Sequence, residues 1–300
     1  MTAPHPRLSD VDLPQLYRAA NEASLDGQRL YKRLTRTRLW LVVVAAAMGV
    51  TAWRVGTGQV DLLALVAVVA FALAFAADIH LGRSRPDKTW YDGRAVAEST
   101  KTLAWKYAVC ADPFPVSLPV SEAGSALLNE LQTIRVRYPA LGLSPIVGEQ
   151  ITSWMRTLRS SPYKQRQDAY IELRLLDQEH WYESKARKFG KHANRWRLRL
   201  VGFEVVGVVL SLIEAFTTLN WAFAPLIAAI VAASVGWIQI QQYDQLSEAY
   251  STTVSDLGDA HTKLTEAAAD ETRWALEVND AEEAMSREHT LWSAKRSQLY

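Results

Sequence analysis

The amino-acid sequence predicts an all-α integral membrane protein: four transmembrane helices forming two hairpins, plus a cytoplasmic helical bundle. Three observations predict it. Four apolar runs fall in two close pairs. Lys and Arg crowd the outer ends of those pairs, and the short loops inside them hold only Arg54. The remaining chain is polar and spaces its apolar residues at helical intervals, with no strand pattern. The totals conceal this. The 300 residues are 49% apolar and 22% charged, with a formal net charge of +1, an ordinary balance. The departure lies in how strictly the two classes are segregated.

The first module is expected over residues 10–111, after a disordered start at 1–9. The opening "MTAPHPRLSDVDLPQL" lacks the basic and apolar regions of a signal peptide, so a cytoplasmic start is expected. The first apolar run, 39–55, carries Trp40 and Trp53 near its ends. The second, 60–77, has Asp61 at its edge as its one charge. At 1.5 Å per residue each reaches about 26 Å, just under a hydrocarbon core of ~30 Å. Arg29, Lys32, Arg33, Arg36 and Arg38 precede this hairpin, and Arg83, Arg85 and Lys88 follow it.

Residues 87–111 read as a helix, with Trp90, Arg94, Ala97, Lys101 and Trp105 at helical spacing and Asp87 able to cap it. "DPFPVSLPV", 112–120, breaks it, because proline removes a donor and restricts its neighbour. It opens a linker, 112–160, with short helices expected near 126–136 and in "GEQITSWMRTLRS". Cys110 is the one cysteine, which excludes an internal disulfide; a buried thiol is expected.

The second module is expected over 161–300. A long polar helix starts near Ser161 and runs into the third apolar run, 200–219, which contains Glu204 and Glu214. The fourth run, 221–240, has no charge. A polar helix continues over 241–269, and another starts near Asp270. Its Trp274, Val278, Ala281, Met285 and Trp292 form one apolar stripe that should pack on a partner helix.

Charge sets the orientation. Seven Lys or Arg residues lie within Lys185–Arg199, just before the third run. Lys and Arg stay on the cytoplasmic side, so both hairpins have both ends inside and both termini are cytoplasmic. The setting expected is a bacterial inner membrane, and the bilayer is the first expected partner. Two competing readings stand beside this. A soluble bundle with buried hairpins needs helices that are apolar all round, whereas soluble helices keep a polar stripe. Nucleic-acid binding fits the aromatic residues Trp181, Tyr182, Phe189 and Trp196 among the charges. A membrane interface explains the same pattern and adjoins an apolar run, so no nucleic-acid partner is expected.

An internal repeat supports two modules. "YDGRAVAEST", 91–100, and "YDQLSEAYST", 243–252, agree at five of ten positions. Each follows the second helix of a hairpin.

A charged side chain at mid-membrane costs about 2.5–3.5 kcal/mol, so Glu204 and Glu214 are candidates for a pore wall. Ten residues apart, they lie about 80° apart around a helix and fit one broad polar face. In a ring of subunits such acids favour cations. The other reading has each acid protonated, or bonded to Ser211, Thr217 or a neighbouring helix. Ala228, Ala232 and Gly236, four residues apart, suit close helix packing. No catalytic set emerges. "GTG" at 56–58 lacks the rest of a phosphate loop, and the six histidines are scattered. Asp177, Glu179, His180 and Glu183 read as a solvated or interhelical face. The chain is not expected to be an enzyme, nor to need a cofactor or metal.

The segment "YIELRLLDQEHWYESKARK", 170–188, followed by a hairpin and "AEEAMSREHTLW", 281–292, resembles the SLATT domain. That family comprises two-transmembrane effectors associated with bacterial nucleotidyltransferase and SLOG defence systems. The order Asp177-Gln178, Trp181-Tyr182, Lys185 carries the resemblance. "WYDGRAVAESTKTLAWKYAV", 90–109, with Trp90, Tyr91 and Glu98, is similar to the helix after the hairpin in another SLATT subfamily. The resemblance implies a homo-oligomeric pore of an anti-phage system, with a sensor or nucleotide-signal partner encoded separately. Movement of the cytoplasmic bundle would reach the pore through the helices at 161–200 and 241–269, with Trp181, Tyr182, Trp90 and Tyr91 packed at the joint. A non-conducting scaffold that organises partners is the alternative.

Overall fold

The computed structural model describes residues 8–50, 54–55, 60–143, 148–217 and 223–297, with the backbone alone for 54–55 and 287–297. Residues 1–7 of the expected disordered start 1–9, Trp53 and Trp221, the "GTG" loop and the side chain of Trp292 lie outside the described residues; Leu8 and Ser9 are ordered, Leu8 packing against the core and the Ser9 N–H donating to Asp12 at 2.9 Å. In chain order the helices are α1 (Gln15–Met48), α2 (Leu62–Ser84), α3 (Pro86–Ala108), α4 (Val120–Arg137), α5 (Ser153–Ser160) and α6 (Tyr163–Tyr170). A π-helical turn, Ile171–Leu175, leads into α7 (Leu176–Phe216). There follow α8 (Phe223–Gln241), α9 (Tyr243–Glu266) and α10 (Glu271–Ser297).

Two strands of two residues, β1 (Arg54–Val55) and β2 (Val60–Asp61), correct the expectation of no strand. Arg54 pairs with Asp61 and Val55 with Val60, antiparallel, at the tip of the first hairpin. The chain must reverse there, and two β-branched valines facing each other favour a ladder.

The first apolar run is also corrected. It is not a helix over 39–55: α1 ends at Met48. Its last turn tightens, with the Gly49 and Val50 N–H groups donating to Ala46 and Ala47 carbonyls at 3.1 and 3.2 Å. Glycine and the β-branched Val50 and Thr51 disfavour continuation. The apolar helical end of α1 is therefore ten residues, about 15 Å. In the second run the helix begins at Leu62. Asp61 Oδ1 caps it by accepting from the Leu63 and Ala64 N–H groups at 3.0 and 3.3 Å. The third run is helical to Phe216, and the fourth from Phe223 to Gln241.

Two helical segments, beginning at Leu62 and Phe223, are long and apolar enough to cross a membrane. Their most apolar windows have mean hydropathies of 2.6 and 1.9 and are at most 11% buried. A core helix of a soluble protein is apolar because it is covered, and these two are uncovered. The apolar end of α1 is too short to pass the same test, and that of α7 holds two acids.

The described residues divide into two spatial units. A bundle takes those of Met1–Gln28, Asp87–Ala186 and Glu248–Tyr300; a hairpin unit takes Arg29–Pro86 and Arg187–Ser247. The bundle core is aromatic. Trp105 meets Trp154 at 5.0 Å and Tyr170 at 5.9 Å, edge to face, and Tyr170 meets Trp274 at 5.9 Å. Trp274, Val278, Ala281 and Met285 are all buried, so the described part of the α10 stripe packs inward as its spacing predicts. At the crossing of α1 and α3, a Cβ on Gly93 would sit 2.9 Å from the Ala20 carbonyl and the Ser24 N–H. Only glycine permits that approach.

The proline-rich break after α3 is pinned by buried Arg159. Its Nη1 donates to the Tyr107 and Phe114 carbonyls at 2.9 Å each, and Nη2 to Pro115 and Leu118 at 3.2 and 3.4 Å. Cys110 is buried beside it, as expected, and burial pushes its thiol up.

Both hairpins leave their second helix through a single left-handed residue: Arg85 (φ 41°) after α2 and Gln242 (φ 50°) after α8. The backbone thus repeats where the sequence does. The registers differ: Tyr91 lies six residues after its break and Tyr243 one residue after.

Candidate functional site

The two acids of the third apolar run, both on α7, have different surroundings. Glu214 is half-buried near the helix end, and its Oε1 accepts the Phe223 N–H at 2.6 Å. Phe223 opens α8, whose first N–H groups have no partner within the helix and carry partial positive charge. Glu214 therefore caps the returning helix from across the hairpin. Thr217 bonds instead to the Ile213 carbonyl of its own helix, at 2.7 Å.

Glu204 is exposed, and among the described residues nothing pairs with its carboxylate. With Gly207, Val208 and Ser211 of α7 and Ala224, Ile227 and Ala228 of α8, it lines an open groove of about 530 Å³. Gly207 keeps the two helices close: a Cβ there would meet Ile227 Cγ2 at 3.0 Å. Around the groove α7 shows Val201, Val205, Val208, Val209 and Leu212 to the outside. A carboxylate thus sits within an exposed apolar surface.

The small residues of α8 divide. Ala228 lines the groove, Ala232 is exposed, and a Cβ on Gly236 would meet Leu39 of α1 at 3.6 Å. Gly236 thus serves packing inside the unit, while Ala232 is open to another chain.

The motif residues gather in the bundle. Trp181 and Tyr182 meet each other at 5.0 Å and both reach Tyr250 of α9, at 5.6 and 5.3 Å. Lys185 places its ammonium 5.3 Å above the Trp181 ring. Gln178 donates to exposed Asp177 at 3.3 Å. On α3, Trp90 stacks on Tyr91 at 4.6 Å, and the Trp90 carbonyl accepts the Ser24 hydroxyl at 2.9 Å. Glu98 pairs with Arg94, one turn earlier, at 3.0 Å. These contacts join α7 to α9 and α3 to α1.

Sequence reading missed the strongest electrostatic feature. Arg174, in the π turn, is 2% exposed, and Glu282 of α10 is fully buried. Two hydrogen bonds of 2.8 and 2.7 Å join them side by side. Thr102 donates to Glu282 at 2.8 Å and Tyr170 at 3.3 Å. Burial works against the Arg174 charge, but Glu282 outweighs it and holds the guanidinium more firmly protonated. Burial, with the Glu282 charge beside it, also raises Tyr170 well above its ordinary range. Burial and the Arg174 charge lower Lys101, from 10.5 to about 8. A π turn inserts one residue into the helical repeat and re-aims its side chains, here bringing Arg174 and Leu175 inward.

Residues 14–167 match the family model described as SMODS and SLOG-associating 2TM effector domain 3. Residues 170–292 match that of SMODS and SLOG-associating 2TM effector domain 1. No curated protein and no solved structure matches the chain.

Proposed function

The chain belongs to the SLATT family, as a tandem of two such effector domains, and we propose that it forms a homo-oligomeric pore in the bacterial inner membrane. In this reading it is the effector of an anti-phage conflict system and permeabilises the membrane on a cue received by the bundle. In this reading all four apolar runs cross, the first as the ten-residue end of α1 completed by residues 49–55, and both ends of each hairpin stay inside. The chain performs no catalysis. A sensor or nucleotide-signal partner is a separate protein.

One observation carries the proposal. Glu204 sits exposed, with no partner among the described residues, on an otherwise apolar helix surface, lining the groove between α7 and α8. A carboxylate facing lipid costs about 2.5–3.5 kcal/mol at mid-membrane and less one turn inside the boundary, where Glu204 sits and can partly snorkel; a water-filled ring of subunits removes what remains. Exposed Ala232 lets a neighbouring backbone approach. Bundle movement reaches the membrane through α7 and α9, whose Trp181, Tyr182 and Tyr250 contacts couple those helices.

Liposome conductance tests this. The Glu204→Gln channel should lose cation preference by about tenfold, as expected when a ring of acids is neutralised. Glu214→Gln should keep that preference, because its carboxylate serves the α8 N-terminus. Unchanged selectivity in Glu204→Gln removes Glu204 from the pore wall. A protein that leaks neither ions nor dye under any trigger is a scaffold instead.

A further inference from the structure

We propose that the cytoplasmic end of the first hairpin holds a binding site for one anionic phospholipid, in a groove formed by α1 and α8. The groove is about 520 Å³ and lies within the hairpin unit. Lys32, Arg33 and Arg36, with Thr37 beside them, line one end. Trp40, Leu41 and Val44 line the other, facing Trp237 of α8. Read along α1, the lining passes from three cations to three apolar side chains within about 18 Å. That is the order of a phospholipid, phosphate first and acyl chain after.

The two arginine charges are available for it. Arg38, two residues on, spends its guanidinium on Asp78 at 2.9 Å. Among the described residues, neither Arg33 nor Arg36 pairs with an acid. Lys32 is half-buried, and burial lowers its ammonium from its ordinary value. The apolar wall is equally prepared. Trp40 is 61% exposed, where an indole needs an interface to cover it. A soluble phosphate compound satisfies the cations and leaves Trp40, Leu41 and Val44 uncovered, so the lipid is the better match.

The site rests on the membrane position of this hairpin and is independent of conduction. Native mass spectrometry of the full chain, released from micelles containing phosphatidylglycerol and phosphatidylcholine, tests it. Each cation near a membrane surface contributes about fivefold in affinity for anionic lipid. Arg33→Gln/Arg36→Gln should therefore retain phosphatidylglycerol at least about tenfold less well, with phosphatidylcholine unchanged. The control Lys188→Gln/Lys191→Gln removes the same charge from exposed positions of α7 about 14–18 Å along the helix from the third apolar run, beyond a Debye length, and should lose about twofold at most. Equal losses in both variants make the attraction diffuse and overturn the site. Displacement of phosphatidylglycerol by millimolar inorganic phosphate also overturns it, in favour of a free-phosphate site. If the double variant does not purify as a folded species, Arg36→Gln alone is read, with about a fivefold loss expected. Retained phosphatidylcholine reports membrane association in the same spectra, so failure of the site is distinguishable from failure of the membrane reading.

Discussion

The two units of the molecule handle polarity in opposite ways. The bundle buries an aromatic core and also a charge pair, Arg174–Glu282, whose carboxylate accepts further bonds from Thr102 and Tyr170. The hairpin unit exposes its valines, leucines and phenylalanines, and its pair Arg38–Asp78 is nearly half open, at 43% and 48%. One unit is built for water and the other for lipid. The same type of contact therefore carries very different weight in each.

The largest effect that sharpens this contrast is on the buried pair. Glu282→Gln leaves a buried guanidinium uncompensated and should destabilise the bundle by about 3–5 kcal/mol. Thermal unfolding of the full chain in detergent reads it. Asp78→Asn, breaking the exposed pair, should cost less than about 1 kcal/mol. Equal losses would erase the distinction between the units. Arg174→Met/Glu282→Met should recover most of the stability lost by Glu282→Gln, since removing both charges together removes the desolvation cost.

How much of this was legible in the sequence follows from where each partner lies. The second, third and fourth apolar runs, the described part of the α10 stripe and the Asp270 turn are local patterns, and the structure keeps them as helices and as the start of α10. Asp270 Oδ1 accepts from the Thr272 and Arg273 N–H groups at the start of α10, for instance. Arg174 and Arg159 sit in polar stretches where an arginine reads as surface. They are buried because their acceptors come from elsewhere: Glu282 lies 108 residues away, and the carbonyls around Arg159 come from the proline-rich break. The early end of α1 was hidden for another reason. Apolar composition says what a segment dissolves in, and Gly49 with two β-branched residues says where its helix stops. The role of Glu214 was visible only once the hairpin set the Phe223 N–H beside it.

The next effect concerns Lys101. Its folded value of about 8 lies below its ordinary 10.5, because burial and Arg174 disfavour the charged form. Below about pH 8 the lysine is charged in both folded and unfolded chains, and the full cost applies. Above about 10.5 it is neutral in both, and the cost is gone. Bundle stability should therefore rise as pH increases from about 8, by up to ~3 kcal/mol in principle and less after solvent screening. Lys101→Met should raise stability at neutral pH and flatten that rise. Melting curves between pH 7 and about 9.5 are the measurement, below the range where raised tyrosines such as Tyr17 and Tyr163, both near 12, reverse the trend. A variant whose slope matches the parent shows that the lysine is solvated.

Within the hairpin unit, the two returning helices offer a smaller test. Asp61 caps α2 from the adjoining residue, and Glu214 caps α8 from the preceding helix. Asp61→Ala and Glu214→Ala should each cost about 1 kcal/mol, the usual value of a cap. Similar losses, read as detergent melting temperatures, make capping the common task of these acids and leave Glu204 as the acid without a structural duty. A Glu214 loss close to zero would break that parallel and return Glu214 to the candidates for the pore wall.

The smallest effect is at the left-handed breaks. A side chain in this conformation is strained by about 1–2 kcal/mol, part of which glycine recovers while losing backbone entropy. Gln242→Gly should therefore stabilise the chain by about 0.5 kcal/mol, its Ile238 bond of 2.8 Å being a backbone one that glycine keeps. Arg85→Gly relieves the same strain but removes one of the cations that flank the first hairpin, so its gain should be nearer zero. The ordering of the two variants carries the information. If Arg85→Gly gains as much as Gln242→Gly, the cation at that break contributes nothing to seating the hairpin, and the retained break is a matter of backbone geometry alone.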